Sequence, residues 1–523
     1  MARPSPEEFL RTDHVEADLA RRSVRGGALA ISTQAARFLL NVASTMALAR
    51  MLEARDFGVI AVAVASVGVL SLVKDAGLTS ATIQHRSVSH RQASTLFWAT
   101  AGLSTLVSLV IAVLAPLLGW FYGDTRVRDV VLAMAVVPLV DGLGMQHLAI
   151  MIRRMEFPRI SAVDVISMLV ALATAVAVAW RGGGYWALVA QEIAGSFVST
   201  ALLWILCGWR PGPPSRTAGV GKMVRFGLNQ TGVRVFSHLT NNLDTVVVGR
   251  FAGVRRAGVY DRAFRVLTLP FQLVTGPFGS VVVPALSRLQ GDPERYRAFY
   301  RRWIRLIYAL SMPLVVFLFV DAKPAVIAVL GARWAPMVPI YRALAPAAFF
   351  GRTSFLIGWI YTSTGRPDRH LRWVAAAFVP MLVGYLVGVR WGAYGVAVAH
   401  SLVSVLLWYP ALAHCCRTAP VTPRDVVEQM LRPAILSIAA GVVLHLLVRD
   451  VLPRVRPLTL GLALHAALYG ALYLGLWIAT PAGRREVGEL LGQIRSMRAG
   501  EAAPPTEQVS GAVATTAETD RPG

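Results

Sequence analysis

Gln34, Arg37, Asn41 and Thr45 follow one another at steps of three and four residues, so on a helix they form one polar stripe. Two hundred residues further on, Arg234, His238, Asn241 and Thr245 repeat that pattern, with Asp244 beside them. Both sets sit inside otherwise apolar stretches. An arginine at mid-membrane costs about 2.5–3.5 kcal/mol on insertion scales and normally faces a cavity or a partner. No carboxylate stands within one helical turn of Arg37 or Arg234. Two matched stripes facing each other therefore predict a polar, net cationic cleft, suited to an anionic ligand. For Asn41, Asn241, Thr45 and Thr245 a second reading is equally open, that they tie helices together by hydrogen bonds.

Charge continues in "GVYDRAFRV" at 258–266, where Asp261, Arg262 and Arg265 stand close together. Asp261 and Arg265 have the i,i+4 spacing of an ion pair at a helix mouth, and substrate contact is the equally open alternative. Arg342 and Arg352 lie ten residues apart, on roughly one helix face. Arg342 can snorkel to the surface, whereas Arg352 is deeper and a cleft candidate. Asp141, Asp164 and Glu192 are single carboxylates in apolar segments, each suited to a cation relay or to neutralising a neighbouring arginine.

Nothing points to covalent chemistry. "AGVGKM" at 218–223 lacks the earlier glycine and the following Ser/Thr of a phosphate-binding loop. The histidines are scattered without ligand spacing, and Cys207, Cys415 and Cys416 form no metal or disulfide pattern. The expectation is no enzyme, no cofactor and no metal.

The elements that position these groups are membrane helices. The 523 residues are 55% hydrophobic and only 15% charged, with mean hydropathy +0.54. A soluble chain needs about a quarter of its residues charged. Apolar runs of about 20 residues recur from residue 27 to 479, which predicts an all-α polytopic membrane protein and excludes the short alternating segments of a β-barrel. Basic and Gly/Pro-rich breaks place fourteen spans, six within 27–207, six within 226–414 and two within 433–479. Residues 1–26 and 208–225 are then a cytoplasmic N-terminal segment and an inter-lobe linker, and 480–523 is a cytoplasmic, mostly disordered tail. No cleavable signal peptide is expected, because residues 1–20 are polar throughout. Pro270, Pro277 and Pro284 predict a kink in the span at 258–286.

Alternate connections hold 32 and 14 of the Lys and Arg residues, which puts both termini in the cytoplasm. The net charge of +23 follows largely from that asymmetry and from contact with anionic membrane lipid, so no nucleic-acid partner is inferred.

An internal repeat supports the two-lobe division. Comparing 24–59 with 224–259 without gaps gives ten identities in 36 positions, among them Asn41/Asn241, Thr45/Thr245, Arg50/Arg250 and Gly58/Gly258. Average residue usage predicts roughly three. Six spans per copy give a parallel repeat about an axis normal to the membrane, as in several transporters.

These blocks also carry a resemblance. "DFG" at 56–58, "DAGL" at 75–78, "IQ" at 83–84, "STLFW" at 94–98, "NNLDTVVVGRFAG" at 241–253, "GVYDRAFRV", "PALSRLQGDPER" at 284–295 and "TGRPD" at 364–368 resemble the Wzx-type, WzxC-like polysaccharide exporters. That family belongs with the MATE exporters and lipid II flippases, and the resemblance runs from about residue 25 to 480. It implies two six-helix lobes plus two C-terminal helices around a central cleft, in the bacterial cytoplasmic membrane. It further implies export of undecaprenyl-pyrophosphate-linked oligosaccharide by alternating access, with other polysaccharide-assembly proteins as further partners. The matching arginines are Arg37, Arg234, Arg262 and Arg265; Arg352 is not in a matching block. Two alternatives stay open: a MATE-like ion-coupled antiporter of cationic compounds, and a membrane transferase or polymerase, which the missing catalytic constellation disfavours.

Overall fold

Long apolar segments with capped ends make helices here, and every regular element among the described residues is helical. The computed structural model describes residues 19–74, 77–84, 88–215, 221–450, 458–481 and 483–484. The first lobe holds α1 (Leu19–Met51), α2 (Ala54–Val73), short α3 (Leu78–Gln84), α4 (His90–Tyr122), α5 (Thr125–Met134), α6 (Val136–Arg153), α7 (Phe157–Trp180) and α8 (Trp186–Cys207). The second holds α9 (Gly221–Ala252), α10 (Val254–Arg288), α11 (Pro293–Val320), short α12 (Ala322–Leu330), α13 (Val338–Ser363), α14 (Pro367–Gly388) and α15 (Gly392–Cys416). Helices α16 (Pro423–Asp450) and α17 (Leu458–Ile478) follow.

Polar side chains set the helix starts. Ser89 accepts from the Gln92 amide at 3.2 Å while its own amide donates to Gln92 Oε1 at 3.0 Å, a reciprocal cap for α4. Asp292 does the same service for α11 by accepting from the Arg295 amide at 3.0 Å. Between α9 and α10 the chain reverses at Gly253, whose φ of +92° is open to glycine at little cost. Helix α1 starts at Leu19, eight residues ahead of the apolar run, and α10 runs unbroken through Pro270, Pro277 and Pro284.

Among the described residues, nine helical stretches are long and apolar enough to cross a membrane, one of them covering α14 and α15 together. Helices α1, α6, α9 and α10 fall outside that set, and all four contribute polar groups to the cavities below. The segment 1–18 and most of the tail expected to be disordered, 485–523, lie outside the described residues.

The core is shared at one end of the molecule and divided at the other. At the joined end one apolar cluster takes Leu48, Phe57 and Val62 from the first lobe and Val248, Tyr260 and Trp334 from the second. At the split end each lobe has its own: Leu78, Phe97 and Trp209 in the first, Tyr296, Tyr300 and Leu356 in the second. Polar bonds reinforce the joined end. Trp334 Nε1 donates to Ala49 O at 2.9 Å, Arg333 to Arg50 O at 2.6 Å, and Arg50 to Ala328 O at 3.0 Å. Burying aromatic surface on both sides of the lobe boundary, with the indole N–H satisfied, makes this the firm junction.

Candidate functional site

Each lobe carries a cavity, and the repeat pair Asn41/Asn241 contributes one residue to each. The first, about 430 Å³, is walled by α1, α2, α6, α8 and, from the other lobe, α10. Asn41, Ser44 and Thr45 line it from α1, one turn apart, as the stripe requires. Gln191 on α8 donates to Ser44 Oγ at 3.1 Å and holds that wall.

Charge gathers in this first cavity. Lys74 Nζ lies 2.5 Å from Asp141 Oδ2, and Ser196 donates to the other oxygen of that carboxylate at 2.5 Å, so Asp141 is matched on both sides. Arg262 and Arg265 enter from α10 around Asp261, which accepts from Arg265 Nε at 2.8 Å and lies 3.5 Å from Arg262. The Arg262 guanidinium is seated 4.3 Å over the Phe57 ring, a cation–π contact across the lobe boundary. Its Nε has no hydrogen-bond partner among the described residues. Lys74, Arg262 and Arg265 stand against Asp141 and Glu192 on the lining, with Asp261 behind the two arginines.

The second cavity, about 500 Å³, is built from α9, α13, α14 and α15. Asn241, Thr240 and Ser237 line it from α9, facing Trp359, Trp373 and Trp408. Among its described lining residues there is no carboxylate, lysine or arginine.

Several predicted site residues stand elsewhere. Arg37 pairs with Asp164 of α7 at 2.9 Å and does not line either cavity, so its partner comes from a different helix rather than from its own turn. Gln34, half-buried, is likewise outside both linings. Asp244 is buried behind the cleft, accepting from the Tyr260 hydroxyl at 2.8 Å and the Thr245 amide at 2.7 Å, with His400 at 3.7 Å. His238 packs on Gly68 of α2, so closely that a Cβ there would meet the ring at 2.6 Å. Arg234 and Arg352 fall on α9 and α13, but their side chains lie outside the described residues. Arg342 reaches the carbonyls of Phe319 and Val320 at 3.4 Å, close to the surface. Asn41 and Asn241 thus line separate cavities, while His238 of the second stripe packs against α2 beside the first.

Lys74, Ser44 and Gln191 are residues that sequence reasoning missed. Lys74 follows the last apolar residue of α2, where a cation ordinarily faces water, and the carboxylate that draws it inward is 67 positions away. If the Arg37–Asp164 pair is structural, Asp164→Asn and Arg37→Ala should give the same mild export defect, measured side by side at equal protein levels. A severe loss in Arg37→Ala alone would assign Arg37 a contact with substrate.

Three comparisons bear on this arrangement. Residues 47–339 match the family described as "Polysaccharide biosynthesis protein". The lipopolysaccharide biosynthesis protein WzxC of Escherichia coli is 25% identical over 376 residues, 70% of this chain and 75% of that one. Among solved structures, the lipid II flippase MurJ in an inward closed conformation superposes with TM-score 0.68 at 14% identity, over 86% of this chain and 98% of its own. An inward-facing MATE multidrug transporter gives 0.59 at 12% identity, over 77% and 95%. At such identities the structural likeness is one of fold.

Proposed function

This chain belongs to the polysaccharide biosynthesis protein family, and from that membership we propose that it is a multi-pass flippase of a lipid-linked oligosaccharide in the bacterial cytoplasmic membrane. The substrate class is an undecaprenyl-pyrophosphate-linked repeat unit, moved from the inner to the outer leaflet by alternating access. The lobes are the two six-helix halves with α16 and α17 added, about fourteen spans, and both termini are cytoplasmic. The observation that carries the reading is the first cavity, where Arg262 and Arg265 from one lobe reach into a pocket of the other, and Arg262 keeps an unpartnered N–H. Guanidinium groups bind phosphate oxygens through paired, charge-assisted hydrogen bonds.

The division of the core suits the same role. With the split end cytoplasmic, as the Lys and Arg distribution favours, the cavities lie under a closed external junction where a substrate would load. The polyprenyl tail stays in lipid, and only the charged headgroup needs a polar path. Outward movement of negative charge against an inside-negative potential is favoured by about 2.3 kcal/mol per charge per 100 mV. The second reading, an ion-coupled antiporter of cationic compounds, is favoured by Asp141 and Glu192 in the lining. Asp141, however, is already matched by Lys74.

The test is made in a strain lacking this protein. Its lipid-linked oligosaccharides are extracted after treatment with an impermeant sugar-oxidising reagent. Protection of the sugars, relieved by the intact gene, is the expected result. Normal outward exposure together with new sensitivity to cationic compounds would overturn it in favour of the antiporter.

A further inference from the structure

The cavity of the second lobe has a chemistry unlike that of the first, although three of its four helices, α9, α13 and α15, are the repeat counterparts of α1, α6 and α8. Where the first-lobe cavity carries ion pairs, its counterpart carries rings. Trp373 lies on the lining and stacks on His414 at 5.5 Å with 29° between the planes. His370, also on the lining, stacks on Tyr361 at 4.9 Å and 14°. Behind them the Tyr361 hydroxyl and His414 Nδ1 are 2.7 Å apart, which fastens the two stacks to each other. The result is a four-ring cluster, with Tyr361 and His414 tilted by 51° where the two stacks meet, whose planes are fixed before any ligand arrives.

Opposite this cluster stand Asn241 and Ser237 of α9, with Ser404 of α15 beside it. Among the described residues none of these three side chains has a hydrogen-bond partner, so their donors and acceptors are available to a ligand. Fixed aromatic planes together with uncharged hydroxyl and amide groups are the complement of a pyranose. Its axial C–H face is apolar and packs on a ring, and its equatorial hydroxyls exchange hydrogen bonds with neutral partners. An apolar ligand would leave the amide and hydroxyl groups unpaired, and an anionic one finds no lysine or arginine on the described lining. The two cavities thus divide a ligand that is charged at one end and neutral and polyhydroxylated at the other.

We propose that the second-lobe cavity is a sugar subsite, in which Trp373 stacks on a hexose of the lipid-linked oligosaccharide while the first-lobe cavity holds its pyrophosphate. This rests on the flippase reading above. It assigns Trp373 a binding role distinct from that of an interfacial tryptophan, which would contact headgroups and be indifferent to the sugar.

The experiment uses the full chain in nanodiscs and two probes, undecaprenyl pyrophosphate and undecaprenyl-pyrophosphoryl-glucose, whose all-equatorial ring offers the required face. Wild type should bind the glucosylated lipid about threefold to tenfold more tightly than the bare one, the range expected of one aromatic contact. Trp373→Ala should erase that preference and leave affinity for the bare lipid unchanged, with Trp373→Phe intermediate. A preference that survives in Trp373→Ala, or its absence from wild type, overturns the sugar subsite while leaving the flippase intact. Failure of wild type to bind either lipid instead sinks the flippase reading. Trp391→Ala, at an exposed position on neither lining, is the control for general loss of an indole.

Discussion

Arg262→Gln combined with Arg265→Gln is expected to lower export by at least about a hundredfold at normal protein levels. A hydrogen bond to a charged group is worth about 1.5–3 kcal/mol, so losing one such contact weakens binding by roughly ten- to 150-fold. The two effects will not add fully, because both guanidinium groups share Asp261 and are coupled through it. Arg262→Lys separates charge from geometry. It keeps the cation but gives up the planar fork, and the stacking over Phe57 with it. Export by Arg262→Lys should therefore fall well below wild type while remaining above the Gln variant. The measurement is the rate at which lipid-linked oligosaccharide becomes accessible to an outside reagent, alongside elution of the variant as a folded monodisperse species. Folded double variant with wild-type export would remove the first-lobe cavity from the substrate path.

Periodicity made part of this site legible, and its limits are physical. A step of three or four residues reports which groups share a helix face, and on that basis Asn41 and Thr45 belong together, as they do in the first cavity. Periodicity says nothing about what stands opposite. Arg37 has no carboxylate near it along its own helix, yet Asp164, 127 positions away, meets it at 2.9 Å. Asp244 looked like part of the polar stripe because it adjoins Thr245. Its one-residue offset turns it instead toward Tyr260 and His400, into the core of its own lobe. Lys74 was hidden by its position at the end of an apolar run, where a cation ordinarily faces water.

The aromatic cluster was harder still. Tyr361, His370, Trp373 and His414 come from three helices, and spacing in the chain connects only His370 with Trp373, three residues on. Architecture was more readable than chemistry, for a related reason. Apolar length is a property of each segment alone, whereas a cavity is a property of several segments packed together. The four long helices that fall outside the apolar set show the cost of relying on length: α1, α6, α9 and α10 are less apolar where they serve the cavities.

Gly58→Leu is expected to prise apart the joined end and leave the protein folded but trapped with that end open. Gly58 and Gly258 are equivalent in the repeat, and they mark the place where α2 crosses α10. A Cβ on Gly58 would meet the Val254 carbonyl oxygen at 1.9 Å, and one on Gly258 would meet that of Ala54 at 2.0 Å. Residues 54 and 254 are themselves equivalent, so the crossing is symmetric, backbone against backbone. No rotamer change relieves such an overlap; the helices must separate. Alternating access already requires that separation once per cycle, so the strain has an outlet other than unfolding. Overpacking costs about 1–3 kcal/mol, which shifts the ratio of closed to open junction by roughly five- to 150-fold. With Cys207, Cys415 and Cys416 replaced, a single cysteine at Ser44 reports the shift. An impermeant maleimide added outside should label it several-fold faster in Gly58→Leu than in the parent, while export falls because the loading state is depleted. Gly258→Leu should do the same, and the double variant no more than either, since all three disturb one contact. Unchanged labelling with normal export would show that the junction tolerates a side chain and that the lobes part somewhere else.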